Sequence, residues 1–323
     1  MFYTRKCGEI EESDFGTEQT LCGWLQDTRN LGGIAFIQLR DITGVIQLTL
    51  LKKKLNEEKF KNWTNINRES IVLVRGIVKE NKEAPGGVEM LPDNIELMNE
   101  AETPLPLGVI DKIDSEIETR LNARYLDLRK TEIAANFQIR AAISGAVHKH
   151  LRRENFLEVQ TPKIIASATE GGTSLFEMKY FDKTAYLAQS PQLYKQMLMS
   201  GGLERVYEVG PAFRAEEHNT PRHLNEFISI DIEMSFADDD VVMGVMERLV
   251  ATAARTVSKE TKALKTLGIE PIELELPLPR ITYDEAVEMT KGKVKWGEDL
   301  SMEATRAIAE QMNGFYFITK WPL

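Results

Sequence analysis

Residues 205–236 read RVYEVGPAFRAEEHNTPRHLNEFISIDIEMSF, which predicts two strands joined by a turn-rich loop. In the second strand Ile228, Ile230, Ile232, Met234 and Phe236 alternate with Phe227, Ser229, Asp231, Glu233 and Ser235. Successive side chains of a strand point to opposite faces. The first set therefore predicts a core face, and the second a face with an aromatic ring followed by two carboxylates. Such a face is a poor buried wall but a sensible pocket floor, a solvated outer face being the alternative.

The first strand ends in Phe213-Arg214-Ala215-Glu216, and the same alternation places Arg214 and Glu216 on one face. The loop HNTPRH between the strands carries Arg222 and His223. A guanidinium donates two parallel hydrogen bonds to a phosphate, and a second cationic group at the loop tip suits the far end of a triphosphate. Phe227 is placed to stack on a base, and Glu216 to accept from an exocyclic amine. The ordered set predicts that Arg205 to Glu233 holds a nucleoside triphosphate together with a small amino acid.

Working toward the N-terminus, residues 20–98 read as five short strands: TLCGWLQ, AFIQLRD, GVIQLTL, SIVLVRGIV and a run from Val88 to Met98. Turn signals at Asn30 to Gly33, Thr43-Gly44 and Pro85-Gly86-Gly87 separate them, and the helix-compatible KKKLNEEKFKNW follows the third. That order is the order of a small Greek-key barrel of the OB type, a fold that commonly binds single-stranded nucleic acid.

NEAETPLPLG then breaks the pattern, so the expected domains are an all-β barrel over 1–104 and an α+β domain, an antiparallel sheet flanked by helices, over 105–323. A long helix is expected from about Thr131 to Asn155. Its Ile139, Ile143, Val147 and Leu151 form one stripe, either core or a subunit interface. His148 and His150, two apart on that helix, diverge in direction, which argues against a metal pair and predicts surface positions. From Ala237 onward an amphipathic helix is expected, with acidic residues at its start, as the helix dipole favours.

Composition narrows the function classes. With 323 residues, 42% of them hydrophobic, two packed domains are affordable, and 50 acidic against 40 basic residues give a net charge of -10. No summed positive field attracts polyanions, so any nucleic-acid contact rests on local patches. Cys7 and Cys22 are too few for a disulfide framework, and no apolar run is long enough for a membrane span. A cytoplasmic protein is expected.

FRAEEHNTPRHLNEF, with Asp231 and Glu233 after it, resembles motif 2 of the class II aminoacyl-tRNA synthetases, in the subclass for aspartate, asparagine and lysine. RYLDLR at 124–129, the NFLEVQTPKI segment around Pro162, which looks like motif 1, and the N-terminal barrel agree with it. Within the subclass, EGGTSLFEMKYFDKTAYLAQSPQLYKQML is most similar to aspartyl-tRNA synthetases of archaeal and eukaryotic type.

The resemblance implies ATP-dependent activation of L-aspartate and its transfer to tRNA(Asp), with tRNA(Asn) as a further acceptor suggested by the small Pro85-Gly86-Gly87 loop. It implies that Arg214 holds the α-phosphate and the aspartate carboxylate, Glu216 the adenine amine, and Arg222 and His223 the outer phosphates, with Phe227 stacked on adenine. Asp231, Thr169 and Glu170 would serve the substrate ammonium and a mobile lid. Ser190-Pro191 reads as a helix start, which puts Gln192 and Lys195 on one helical face. By resemblance Lys195 selects aspartate and Gln192 orients it. In the barrel, Arg29, Phe36 and Gln47 match the anticodon-reading positions, although Phe36 would fit the core equally well. Motif 1 implies a homodimer.

The family's third motif and its magnesium ligands lie beyond FYFITKWPL, so no Mg2+ ligand is expected within these residues. The leading expectation is a synthetase whose remaining segment lies outside this sequence. The alternative is a truncated, catalytically impaired tRNA-binding or dimerising protein. Residues 300–323 are expected to lack the strands they should pair with.

Overall fold

The computed structural model describes residues 2–110, 115–166, 175–216, 224–312 and 314–322. The chain divides into two compact units, Met1–Ala134 and Ala135–Leu323.

In the first unit, β1 (Glu18–Asn30), β2 (Ile34–Arg40), β3 (Val45–Leu51), β4 (Ile71–Glu80) and β5 (Val88–Asn99) close into a barrel in the order β1-β2-β3-β5-β4. Helix α1 (Glu57–Thr64) sits between β3 and β4, started by Asn56, whose side chain accepts from the Lys59 N–H at 2.7 Å. Leu21, Leu25, Ile37, Leu39, Ile46, Leu48, Val72 and Val74 fill the interior, and Phe60 and Trp63 of α1 pack onto the same core. The barrel closes tightly at two glycines. A Cβ on Gly23 would lie 2.4 Å from the Arg40 carbonyl oxygen, and one on Gly76 2.3 Å from that of Leu91. The β4–β5 turn takes left-handed φ values at both Gly86 (78°) and Gly87 (76°).

One irregularity decides which residues face outward. Leu25 pairs with Leu39, but Asp27 pairs with Gln38, so Gln26 is an extra residue in β1. The bulge inverts the parity of the strand beyond it. Arg29 therefore lies directly opposite Phe36, on the outer face, while Thr28 turns inward opposite Ile37.

The expected boundary after residue 104 and the division at Ala134 differ by thirty residues. The intervening α2 (Ile117–Asn122) and α3 (Arg124–Asp127) group with the barrel, and Arg129 Nη1 reaches Glu69 Oε2 at 2.8 Å. Buried Asp127 ties this turn together, accepting from Arg120 at 3.0 Å and from Arg124.

The division falls within α4 (Thr131–Arg153), and the second unit continues with β6 (Leu157–Glu158), β7 (Ile164–Ile165), β8 (Glu177–Tyr180), β9 (Lys183–Leu187) and α5 (Gln192–Ser200). Next come β10 (Arg205–Phe213), β11 (Glu226–Met234), α6 (Asp239–Val257) and α7 (Thr261–Leu267). The last elements are β12 (Arg280–Thr282), α8 (Tyr283–Met289), α9 (Met302–Ala309) and β13 (Phe317–Thr319). One sheet runs β11-β10-β6 and another β7-β9-β8. Val147, Leu151, Phe156, Tyr207, Val245 and Leu249 form the core where α4 and α6 meet the first sheet. The α4 stripe is thus core through Ile143, Val147 and Leu151. Asp238 caps α6 by accepting from Val241 at 3.0 Å.

Three local expectations are corrected. Ile228 and Ile230 are 49% and 44% exposed and Phe236 96%, so the predicted core face of β11 is core at Ile232 and Met234 alone. β11 is the outer strand of its sheet, and the helical cover reaches only its second half. His150 is 4% exposed rather than a surface residue, because α6 packs against α4 and brings Thr252 Oγ1 to 3.1 Å from its Nδ1. Burial pushes the imidazole below its ordinary range. The segment expected to lack a partner pairs in parallel with β12, through Phe317, Ile318 and Thr319.

Candidate functional site

β10 and β11 pair antiparallel, with Tyr207 opposite Ile232, Glu208 opposite Asp231 and Val206 opposite Glu233. Asp231 and Glu233 therefore stand on one face, two residues apart, as alternation requires. Helix α5 lies against this face. The Ser190 hydroxyl accepts from the Gln192 N–H at 3.2 Å, and the helix begins at Gln192, which carries Lys195 three residues on.

Lys195 is 3% exposed. Its ammonium lies 3.3 Å from Asp231 Oδ1, 3.5 Å from Glu233 Oε2 and 3.2 Å from the Ile232 carbonyl oxygen. Gln192 Nε2 donates to Glu233 at 3.3 Å. A buried ammonium is tolerated only with such partners. The sequence placed Gln192, Lys195 and Asp231 among the substrate residues and left Glu233 out. Alternation puts it on the pocket-floor face with Asp231, but its contact with Lys195 comes only from the packing of α5.

A second carboxylate faces Asp231 directly. Glu208 is buried, and like charges directly opposite on paired strands repel. Each carboxylate keeps its own cation: Lys163 Nζ lies 2.8 Å from Glu208 Oε1, and Thr161 donates to Glu208 through its N–H at 3.1 Å and its hydroxyl at 2.8 Å. Glu208 so fastens the residues on either side of Pro162, Thr161 and Lys163. Nothing within the strand singles Glu208 out, because its partners come from Thr161 and Lys163, more than forty residues away.

Arg214 follows β10 directly. Its guanidinium sits 5.6 Å from the centre of the Phe227 ring, and its Nε is buried with no hydrogen-bond partner among the described residues. An unpaired buried donor is costly, and an acceptor oxygen of a ligand would satisfy it. The strand stops at Phe213, so Glu216 is not carried by alternation. Its N–H turns back to the Arg214 carbonyl oxygen at 2.8 Å and to Asn225 Oδ1 at 3.2 Å. Thr169, Glu170, Arg222 and His223 lie outside the described residues.

On the barrel, Arg29 is exposed, opposite the half-buried Phe36, and Gln47 pairs with Gln38. Phe36 is on the outer face, flanked by the inward Ala35 and Ile37. Gln47 Nε2 lies 3.4 Å from both Thr49 Oγ1 and Glu89 Oε2. Burial pushes the Glu89 carboxyl up, but hydrogen bonds from Lys79, Thr49 and Asn81 outweigh it and hold the group below the usual carboxylate range. Among the described residues no group of three or more His, Cys, Asp or Glu side chains could hold a metal ion.

Comparison with known proteins bears on both units. Residues 116–323 match the family of tRNA synthetases class II (D, K and N), and residues 19–98 match the OB-fold nucleic acid binding domain. The aspartate–tRNA(Asp/Asn) ligase of Archaeoglobus fulgidus is 51% identical over 313 residues, covering 95% of this chain and 72% of that one. The aspartate–tRNA(Asp) ligase of Picrophilus torridus is 47% identical over 325 residues, covering 99% and 75%. Among solved structures, the asparaginyl-tRNA synthetase of Pyrococcus horikoshii complexed with asparaginyl-adenylate superposes with a TM-score of 0.90 at 31% identity, covering 100% of this chain and 75% of that one. The aspartyl tRNA synthetase of Entamoeba histolytica gives 0.83 at 30% identity, covering 99% and 71%.

Proposed function

Because this chain belongs to the class II tRNA synthetases (D, K and N), we propose that it is an aspartate–tRNA ligase, which activates L-aspartate with ATP and passes the aspartyl group to tRNA. The fold is shared with asparaginyl enzymes, so the amino acid has to be read from side chains. The observation that carries the reading is the buried Lys195 ammonium beside Asp231 and Glu233. A zwitterionic aspartate entering that pair gives its ammonium to Asp231 and its β-carboxylate to Lys195, so every buried charge keeps a counter-charge. Asparagine offers Lys195 no charge, and lysine offers it a like one.

In the first step an α-carboxylate oxygen of aspartate attacks the α-phosphorus of ATP, and the bond to pyrophosphate breaks. Arg214 meets the charge that develops on the α-phosphate, and its place above Phe227 supports stacking of the adenine there. Glu216 accepts from the adenine amine, Gln192 orients the amino acid, and Arg222 and His223 take the outer phosphates. Thr169 and Glu170 serve the substrate ammonium together with Asp231. In the second step a ribose hydroxyl at the tRNA terminus attacks the carbonyl carbon, and AMP leaves. No protein nucleophile is needed; positioning and fixed charge supply the acceleration. Magnesium would accompany ATP in this chemistry, bridging to its phosphates.

The barrel receives the anticodon: Phe36 stacks on a base, Gln47 reads an edge and Arg29 meets phosphate. The turn at Pro85-Gly86-Gly87 supports acceptance of tRNA(Asn) beside tRNA(Asp). A homodimer in the cytoplasm completes the reading, supported by the exposed Leu157 on β6, which among the described residues pairs with β10 alone.

Aspartate-dependent exchange of pyrophosphate into ATP tests the proposal. Exchange with aspartate, and not with asparagine or lysine, is expected. Exchange with either of the other two in place of aspartate overturns the assignment of Lys195, and tRNA binding without any exchange favours a noncatalytic tRNA-binding role.

A further inference from the structure

Behind the outer barrel face runs a chain of side chains whose hydrogen-bond direction is dictated from one end. Glu69 is buried and takes the Arg40 guanidinium on both oxygens, at 3.0 and 2.8 Å, together with Arg129 at 2.8 Å. Arg40, itself buried, donates from Nη1 to Gln26 Oε1 at 3.1 Å. Gln26 donates from Nε2 to Gln38 Oε1 at 3.0 Å.

Only one orientation of the two amides satisfies this chain. A guanidinium has donors and no acceptor, so Gln26 must present its oxygen to Arg40. Its NH2 is then the end that reaches Gln38, and Gln38 must present its oxygen inward. The group left to Gln38 on the outer face is its NH2. The bulge makes the arrangement possible, since the extra residue Gln26 is re-aimed alongside Asp27, the residue paired with Gln38. On the other side Gln38 is paired with Gln47, and two pairs along β1 and β2, on the same face, lie Arg29 and Phe36.

We propose that Gln38 is a further base-reading residue of the barrel, and that it reads as a hydrogen-bond donor because Arg40 sets the direction of the amide chain through Gln26. Its target is an acceptor on an unpaired base of an RNA loop, a carbonyl oxygen or a ring nitrogen. The proposal rests on the reading of this face as the anticodon site. Gln26 does not touch the RNA; it is a positioning residue that acts through Gln38.

The test uses the full chain and a labelled RNA stem-loop carrying the aspartate anticodon GUC, beside loops each changed at one anticodon base, with fluorescence anisotropy as the readout. Gln38→Leu is expected to weaken cognate binding roughly tenfold, the scale of one lost hydrogen bond to a base. It should also abolish discrimination at one anticodon position and leave the other two intact. Gln26→Glu is the sharper variant. The introduced carboxylate still accepts from Arg40 but cannot donate, so Gln38 must turn its NH2 inward and show its oxygen to the RNA. Preference at that one position is then expected to swing from a base offering an acceptor to one offering an amino group, with an unchanged unfolding temperature. A merely structural role for Gln26 would not invert a base preference. Wild-type discrimination that survives Gln38→Leu at all three positions overturns the proposal, as does an equal loss on every loop. A wild-type chain that binds all loops alike overturns the anticodon reading itself, and this proposal with it.

Discussion

The Lys195 ammonium lies 3.3 Å from Asp231 Oδ1, across 36 residues of chain, with Lys195 buried and Asp231 partly so. Removing one partner of such a pair strands the other charge, at a cost of about 3–5 kcal/mol. Lys195→Met is therefore expected to reduce aspartate-dependent pyrophosphate exchange by roughly two to three orders of magnitude. ATP binding, read by equilibrium dialysis, should stay near wild type. An aspartate KM unchanged in the variant would remove Lys195 from the amino-acid pocket.

Phe227 and Arg214 are assigned to the nucleotide. Phe227→Leu keeps an apolar side chain on β11 but loses the flat face that stacks on a base, and an increase of about tenfold in the KM for ATP is expected. The KM for aspartate should change little. Equal rises in both would mean that the substitution had disturbed the strand rather than the adenine contact.

Gly76 tests the closure of the barrel. The nearest obstacle to a Cβ there is backbone, the Leu91 carbonyl oxygen at 2.3 Å, which has no rotamer to escape by. Gly76→Ala should destabilise the first unit by about 1–3 kcal/mol. Urea unfolding followed by the fluorescence of Trp24 and Trp63 reads it, and an unshifted midpoint would show that β4 and β5 can part at no cost.

Two carboxylates make the first unit acid-sensitive. Burial raises the Asp127 carboxyl, but the Arg120 and Arg124 guanidinium groups outweigh it and hold it below its ordinary range, as hydrogen bonds do for Glu89. Each group binds its proton at lower pH in the folded chain than in the unfolded one. Their stabilisation is therefore complete above the unfolded values, about pH 4, and is lost as pH falls through the lowered folded values. Urea midpoints measured from pH 6 down to 3 should fall less steeply for Asp127→Asn and Glu89→Gln than for the wild type. Identical slopes would show that other groups govern acid unfolding.

Much of the fold was legible because it is written in near neighbours. The five barrel strands, the Pro85-Gly86-Gly87 turn and helix α1 follow from alternation, turn residues and a helix-compatible charged run, none of which depends on distant contacts. The motif in residues 213–236 likewise named Arg214, Phe227 and Asp231 before any geometry, and the separate stretch SPQLYKQML named Lys195. Alternation failed at Ile228 and Ile230, which have the pattern of a core face but sit on an outer strand whose cover stops short. It failed again at His150, where the partner comes from α6, some hundred residues later.

The sequence by itself determined the family, the two kinds of domain and the chemical types gathered at each site. Tertiary structure decided which of them meet: Glu233 joining Lys195, Glu208 set against Asp231, and Arg29 turned outward beside Phe36 by one bulged residue. The reason is physical. Periodicity states that a side chain alternates, but its absolute phase, and the charge placed opposite it, are set only when strand register and helix packing bring remote segments together.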